Sequence, residues 1–172
     1  GLLLICCFLS VAVSASALMI GTTDVGVADN LLNSAILEKS GEPFEIAWVN
    51  ENLGSGFVLD YQKTDFGDPT NYWTETDEAG TWGMSLVSEP SHFLIKTGKI
   101  GSPDYRWFLF ENLTMLDWAV VDLSDMGEQF DPNVEFSIGK FSHIGAINPV
   151  PEPSTMLLLG TGLVGLVYWR KR

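Results

Sequence analysis

The sequence predicts a mainly β protein: an antiparallel β-sandwich of the jelly-roll type, two short helices near its start, and an apolar membrane-directed helix at either flank. Three observations predict it. Past Ser55 apolar residues recur at every second position in short runs, and clusters of Gly, Pro, Asn and Asp separate the runs. Five of the six Trp and nine of the ten Phe fall in a middle region of about 130 residues, one domain's worth, and supply it with core-forming side chains. Uncharged apolar stretches lie before and after that region.

The first stretch, residues 1–17, reads as a signal-peptide helix. Leu2-Leu3-Leu4-Ile5-Cys6-Cys7-Phe8-Leu9 is its apolar core, and Ala15-Ser16-Ala17 offers signal peptidase the small residues Ala15 and Ala17, with cleavage expected after Ala17. The basic opening and initiator Met of such a peptide are missing, so the segment is expected to begin several residues earlier. Cys6 and Cys7 lack the Leu-small-small context of a lipoprotein site. With the peptide removed no Cys remains, which excludes a disulfide framework, a thiol nucleophile and a zinc–thiolate site.

Residues 18–149 form the body. Two helices are expected first. Over Asn30–Lys39, Leu31, Leu32, Ala35 and Ile36 recur at three- and four-residue spacings. Over Pro43–Leu53, Pro43 suits a first turn, Phe44, Ala47 and Trp48 make one stripe, Ile46, Val49 and Leu53 an adjoining one, and Gly54 marks a stop. Trp48 is read as core. Strands are then expected at Phe57–Gln62, Trp82–Leu86, Phe93–Lys96, Arg106–Phe110, Trp118–Leu123, Val134–Ile138 and Phe141–Ile147. The unbroken run Trp118-Ala119-Val120-Val121 suggests a central strand, and the helices are expected on one end or side of the sandwich.

The body is strongly acidic. Of 22 acidic and 9 basic residues, removing Glu152, Arg170, Lys171 and Arg172 leaves 21 and 6, a charge near −15. Such a field repels nucleic acid and anionic lipid, and attracts cations or a basic partner.

Catalytic patterns are missing. His92 and His143 have neither the spacing of a zinc helix nor a Gly-x-Ser-x-Gly elbow to serve, and both are read as strand histidines with satisfied partners. No enzyme, metal or cofactor is therefore expected, with one alternative: Asp122, Asp125, Glu128 and Asp131 recur at three-residue intervals and could gather calcium, although they lack the ligand alternation of an EF-hand. Asp65, Asp68, Glu75, Asp77 and Glu78 cluster near Tyr72, Trp73 and Trp82. Aromatics beside carboxylates bind sugars by stacking, or hydrolyse them if two acids face each other, so these three aromatics are candidate ligand contacts. Asn112-Leu113-Thr114 matches a glycosylation acceptor and is read as coincidence.

Residues 150–172 carry the most specific signal. Val150-Pro151-Glu152-Pro153-Ser154-Thr155 precedes an uncharged apolar segment, residues 154–169, and then Arg170-Lys171-Arg172. The two prolines bar a helix and hold an extended backbone. The apolar segment is slightly short of the ~20 residues that span a bilayer, suiting a temporary stop, with Tyr168 and Trp169 at interfacial depth. The basic triplet keeps its side in the cytoplasm. Gly160-Thr161-Gly162-Leu163-Val164-Gly165 spells a dinucleotide-binding glycine pattern but stands outside any βαβ unit, and is read as a helix-packing face instead.

In this order of parts the segment resembles the sorting tail of PEP-CTERM proteins, exported bacterial proteins handled by a membrane-embedded exosortase. The resemblance implies that Pro151, Glu152 and Pro153 are what the exosortase reads. The runs Phe93–Gly98 and Trp118–Leu123 look like exported domains that accompany such tails, with no active-site pattern attached. The implied protein crosses the inner membrane with help from signal peptidase, is held there by its second apolar segment, and acts at the surface or in the matrix. A structural or adhesive role in exopolysaccharide follows from the resemblance; the alternatives are a carbohydrate-binding module and, behind it, a polysaccharide hydrolase or lyase.

Overall fold

Side-chain alternation sorts the chain into layers. The computed structural model describes residues 17–37, 39–54, 57–98, 105–113, 116–127 and 137–151. Their strands are β1 (Leu18–Ile20), β2 (Thr23–Gly26), β3 (Asn30–Leu37), β4 (Phe57–Asp65), β5 (Thr74–Glu75), β6 (Thr81–Ser85), β7 (His92–Thr97), β8 (Tyr105–Glu111), β9 (Trp118–Asp122) and β10 (Phe141–Pro151). Helix α1 spans Glu42–Leu53 and the single-turn α2 spans Leu123–Gly127. All strand pairs are antiparallel: a five-stranded sheet ordered β3-β8-β7-β10-β4, a three-stranded sheet ordered β5-β6-β9, and the hairpin β1-β2.

The continuous apolar runs follow from burial on both faces. In β7 and β8, Phe93, Ile95, Phe108 and Phe110 point to one side and meet Met84, Ala119 and Val121 of the smaller sheet, so the two sheets share a core. Leu94, Trp107 and Leu109 point to the other side and meet Trp48 and Val49 of α1. Val120 projects from the far face of the smaller sheet onto Leu18 and Val25 of the hairpin. That hairpin comes very close: a Cβ on Gly83 would lie 2.8 Å from Cδ1 of Ile20. Period two therefore survives, but with hydrophobic residues in both phases.

Several expectations are corrected here. The helix expected over Asn30–Lys39 is strand β3, pairing with β8. A register shift between Leu31 and Asn33 moves one residue across the pleat, so Leu31 reaches the inter-sheet core while Ala35 packs beneath α1. A bulge of this kind makes strand residues recur at helix-like spacings. Among the described residues Trp118–Val121 is not central: there β9 pairs with β6 alone, at the margin of its sheet. Its free edge is covered by Asp29, whose amide donates to the Val120 carbonyl at 2.8 Å and whose carboxylate accepts the Val120 amide at 2.7 Å. Of the strand expected at Val134–Ile138, residues 134–136 fall outside the described residues, and Ile138 lies in a buried 3-10 turn.

Helix α1 follows expectation in its bounds and departs from it in its facing. Pro43 sits in the first turn, the helix stops before Gly54, and Trp48 is buried edge-on to Trp107 with ring centroids 5.8 Å apart. Phe44, however, faces solvent beneath the Lys39 ammonium, 5.6 Å from its ring centroid, while Glu45 is fully buried.

Candidate functional site

Strand β10 positions everything of interest. Its register on β4 pairs His143 with Asp65, Gly145 with Lys63 and Ile147 with Tyr61 on one face, and Ile144 with Thr64 and Ala146 with Gln62 on the other. Directly opposed antiparallel residues share a face. The first face carries α1 and a buried polar cluster; the second borders an open cleft.

Glu45 is the hub of the cluster. Its Oε2 accepts from the Tyr61 hydroxyl at 2.7 Å and lies 3.1 Å from Nε2 of His143, and its Oε1 accepts from Nζ of Lys96 at 3.5 Å. Burial pushes the Glu45 carboxyl up, but hydrogen bonds from His143 and Tyr61 and the charges of His143 and Lys96 outweigh it and hold the pKa at about 2. The same carboxylate, after burial, pushes the Tyr61 phenol up. A carboxylate, an imidazole and a phenol in contact have the makings of proton-transfer chemistry, yet the Glu45 and His143 side chains are 1% and 2% exposed, which leaves no approach for a substrate. The arrangement fastens α1 to the sheet. His143 is thus a satisfied strand histidine, and His92, held against Oγ of Ser91 at 3.0 Å, is another; burial lowers its pKa against the pull of Glu111.

The second face opens on a cleft of about 160 Å³ between β4, β10 and the loop after β6. Its lining includes the exposed or half-buried Gln62, Thr64, Ser85, Ser88 and Tyr72 and, as a floor, the buried Met84, Leu86 and Ile144. Tyr72 is 45% exposed and leans on Phe66, ring centroids 5.1 Å apart. Of the three candidate aromatics it is the most exposed. Trp73 is 2% exposed and packs edge-on to Phe141 in the inter-sheet core; Trp82 is half-buried against the same core. As a stacking platform Trp73 is therefore ruled out by its packing.

The acidic residues around them have partners within the protein. Asp68 accepts from the amide and hydroxyl of Thr70, which also lowers its pKa. Glu75 accepts from the Gly80 amide, Asp77 from that of Met19, and Asp65 pairs with Lys63 at 2.7 Å. Asp122 accepts from the amide and hydroxyl of Ser124 at the start of α2. Glu128 and Asp131, which complete the suggested calcium loop, lie outside the described residues, and among the described residues no group of three His, Cys, Asp or Glu is placed to hold a metal. Asn112 is 5% exposed and donates to the carbonyls of Pro90 and Leu116, a loop clamp rather than a surface acceptor.

Two residues that organise the molecule escape sequence reasoning. Glu45 looks like any first-turn helix acid, and only the neighbouring apolar residues Ile46, Trp48 and Val49 hint that it turns inward. Asp29 sits in a loop of small residues; its burial is visible only once β9 lies alongside, where burial raises its carboxyl to about 6 against hydrogen bonds from Val120 and Leu113.

The sorting segment grows out of the body's own sheet. Strand β10 continues past the end of β7 through Pro149, Val150 and Pro151, its backbone paired with Leu59, Val58 and Phe57 of β4. Ala17 is exposed immediately before the buried Leu18 of β1. Ala15, Glu152, Pro153, the apolar segment 154–169 and Arg170, Lys171 and Arg172 lie outside the described residues, as do residues 1–16, where a signal-peptide helix is expected. Among the described residues no helix is long and apolar enough to cross a membrane. Neither a curated protein nor a solved structure matches the chain. Residues 149–172 do match the PEP-CTERM protein-sorting motif, which implies exosortase processing and sorting to the cell surface. The motif begins inside the body's own sheet, since its first three residues, 149–151, are the last three of β10.

Proposed function

We propose that this chain is delivered across the inner membrane by its signal peptide, held there by residues 154–169 until an exosortase reads Pro151, Glu152 and Pro153, and then serves as a structural or adhesive component of the surface or exopolysaccharide matrix. Its body is a jelly-roll-like sandwich without catalysis. The observation that carries the reading is the match of residues 149–172 to the sorting motif. Continuity of β10 into that motif supports it physically: only Glu152 and Pro153 separate the strand's last residue from the apolar segment, a reach of at most about 10 Å, so the body would be held close to the membrane face. The closed Glu45 cluster supports a non-catalytic body.

The test is a fusion of residues 149–172 to an inert secreted reporter, followed by fractionation and intact-mass analysis. Membrane retention and trimming are expected in cells that hold an exosortase, and retention without trimming in cells that lack one. Free release of the untrimmed reporter in both would overturn the reading.

A second reading, a carbohydrate-binding module, is favoured by the exposed ring of Tyr72 beside an open cleft.

A further inference from the structure

We propose that the cleft between β4, β10 and the loop after β6 is a binding subsite for a single uncharged sugar unit of a polysaccharide; this rests on the carbohydrate-binding reading and gives it a place and a ligand class. The argument begins with charge. In a body carrying 21 acidic and 6 basic residues outside the sorting tail, the cleft is lined by no Asp, Glu, Lys, Arg or His. A uronic acid or sulfated sugar would enter an unfavourable field and find no cation to receive it, whereas a neutral sugar meets no such penalty.

The lining has the two-sided character of a sugar. Gln62, Thr64, Ser85 and Ser88 bring an amide and three hydroxyls to the lining; Nε2 of Gln62 donates to Oδ2 of Asp60 at 3.3 Å, which leaves its second hydrogen and its carbonyl oxygen for a ligand. The floor, Met84, Leu86 and Ile144, is aliphatic and buried, and Tyr72 offers an exposed ring. Hydroxyl-bearing edges and an apolar C–H face are what a pyranose presents in return. A volume of about 160 Å³ is well below that of sites for drug-sized ligands, so one ring enters and the rest of the polymer stays in solvent.

The strand register explains why these groups converge. Gln62 lies opposite Ala146 and Thr64 opposite Ile144, so each polar side chain of β4 has a compact apolar neighbour on β10 that leaves room above it. The opposite phase of the same two strands is filled by the Glu45 cluster and α1, which fixes the pleat and with it the wall of the cleft.

The experiment uses the full chain in a detergent without a sugar headgroup, with cellohexaose as the neutral probe and hexagalacturonate as the charged one, read by ligand-observed NMR and titration. Cellohexaose is expected to bind with a dissociation constant of about 1 mM, and hexagalacturonate to bind at least tenfold more weakly. Tyr72→Ala and Gln62→Ala are each expected to weaken cellohexaose about tenfold, with Tyr72→Phe retaining affinity, at unchanged unfolding midpoints. Gln62 is an exposed strand residue, so its variant remains informative if Tyr72→Ala disturbs the loop. Binding of neither probe would overturn this assignment together with the carbohydrate reading. Equal binding of both, or affinity untouched by Gln62→Ala and Tyr72→Ala, would overturn the cleft alone and leave carbohydrate binding to another face.

Discussion

The ring of Tyr61 occupies the space that a side chain on residue 145 would fill: a Cβ built on Gly145 would lie 2.5 Å from both Cζ and Oη of Tyr61. Glycine at 145 is what lets the Tyr61 hydroxyl reach Glu45. Gly145→Ala is therefore expected to displace the ring and cost about 2 kcal/mol of stability, the range for overpacking a filled site. Urea unfolding followed by tryptophan fluorescence measures it. Because both changes remove the same contact, Gly145→Ala combined with Tyr61→Phe should cost less than the sum of the two; additive costs would disconnect the glycine from the hydrogen bond.

Glu45 predicts an acid limb in the stability curve. Its folded pKa is depressed from 4.5 to about 2, so the stability it contributes is fully present above 4.5 and is lost as pH falls from there toward 2. Glu45→Ala removes the acceptor shared by Tyr61, His143 and Lys96 and is expected to cost about 3 kcal/mol at neutral pH. Unfolding curves of this variant should also be flatter than the parent's across that acid window. An unchanged acid limb would place the titration elsewhere.

Asp29 has the opposite sign. Burial raises its carboxyl from 3.8 to about 6, so folding favours the protonated form, and the stability present at acid pH is lost as pH rises between those two values. A shift of that size corresponds to about 3 kcal/mol. Asp29→Asn should remove the dependence in that window while leaving the Glu45 limb intact. Stability measured every half unit from about pH 3 to pH 7 separates the two, and a slope that survives the substitution would count against Asp29 as its source.

How much of this was legible beforehand depended on whether the controlling contact was local. Strands β4, β6, β7, β8 and β10 announced themselves because each carries its own apolar pattern. Helix α1 did so through Pro43 and Gly54, which act on their own backbone. Strand β3 misled because a bulge, which exists only against β8, converts strand phase into helical spacing. Trp73 misled differently: its acidic neighbours suggested a surface, while Phe141, nearly seventy positions away, holds its ring inside. Glu45 and Asp29 were hidden for the same reason, since their partners stand 98 and 91 residues distant. The sorting segment was readable because its parts are contiguous and each works by composition.

Tyr72 and Trp73 are adjacent in sequence and should behave as opposites. Trp73→Ala empties a core site between the sheets and is expected to cost about 3–5 kcal/mol, visible as a large drop in the urea midpoint. Tyr72→Ala removes a ring that is 45% exposed and whose one aromatic contact among the described residues is Phe66, and should cost no more than about 1 kcal/mol. Similar losses for both would mean that the loop carrying them packs differently.

Glu152 should control processing without touching the body. In the sequence it follows Pro151, the last residue of β10, and precedes the apolar segment. A carboxylate in that position is suited to a cationic pocket on the processing enzyme, and truncating it removes the charge while the flanking prolines keep the backbone extended. Glu152→Ala is therefore expected to leave unfolding midpoints within about 0.5 kcal/mol of the parent. In cells holding an exosortase, the variant should accumulate in the membrane fraction with Arg172 still attached, by intact mass. Normal trimming of this variant would show that the enzyme reads the prolines or the membrane segment and not the acid between them.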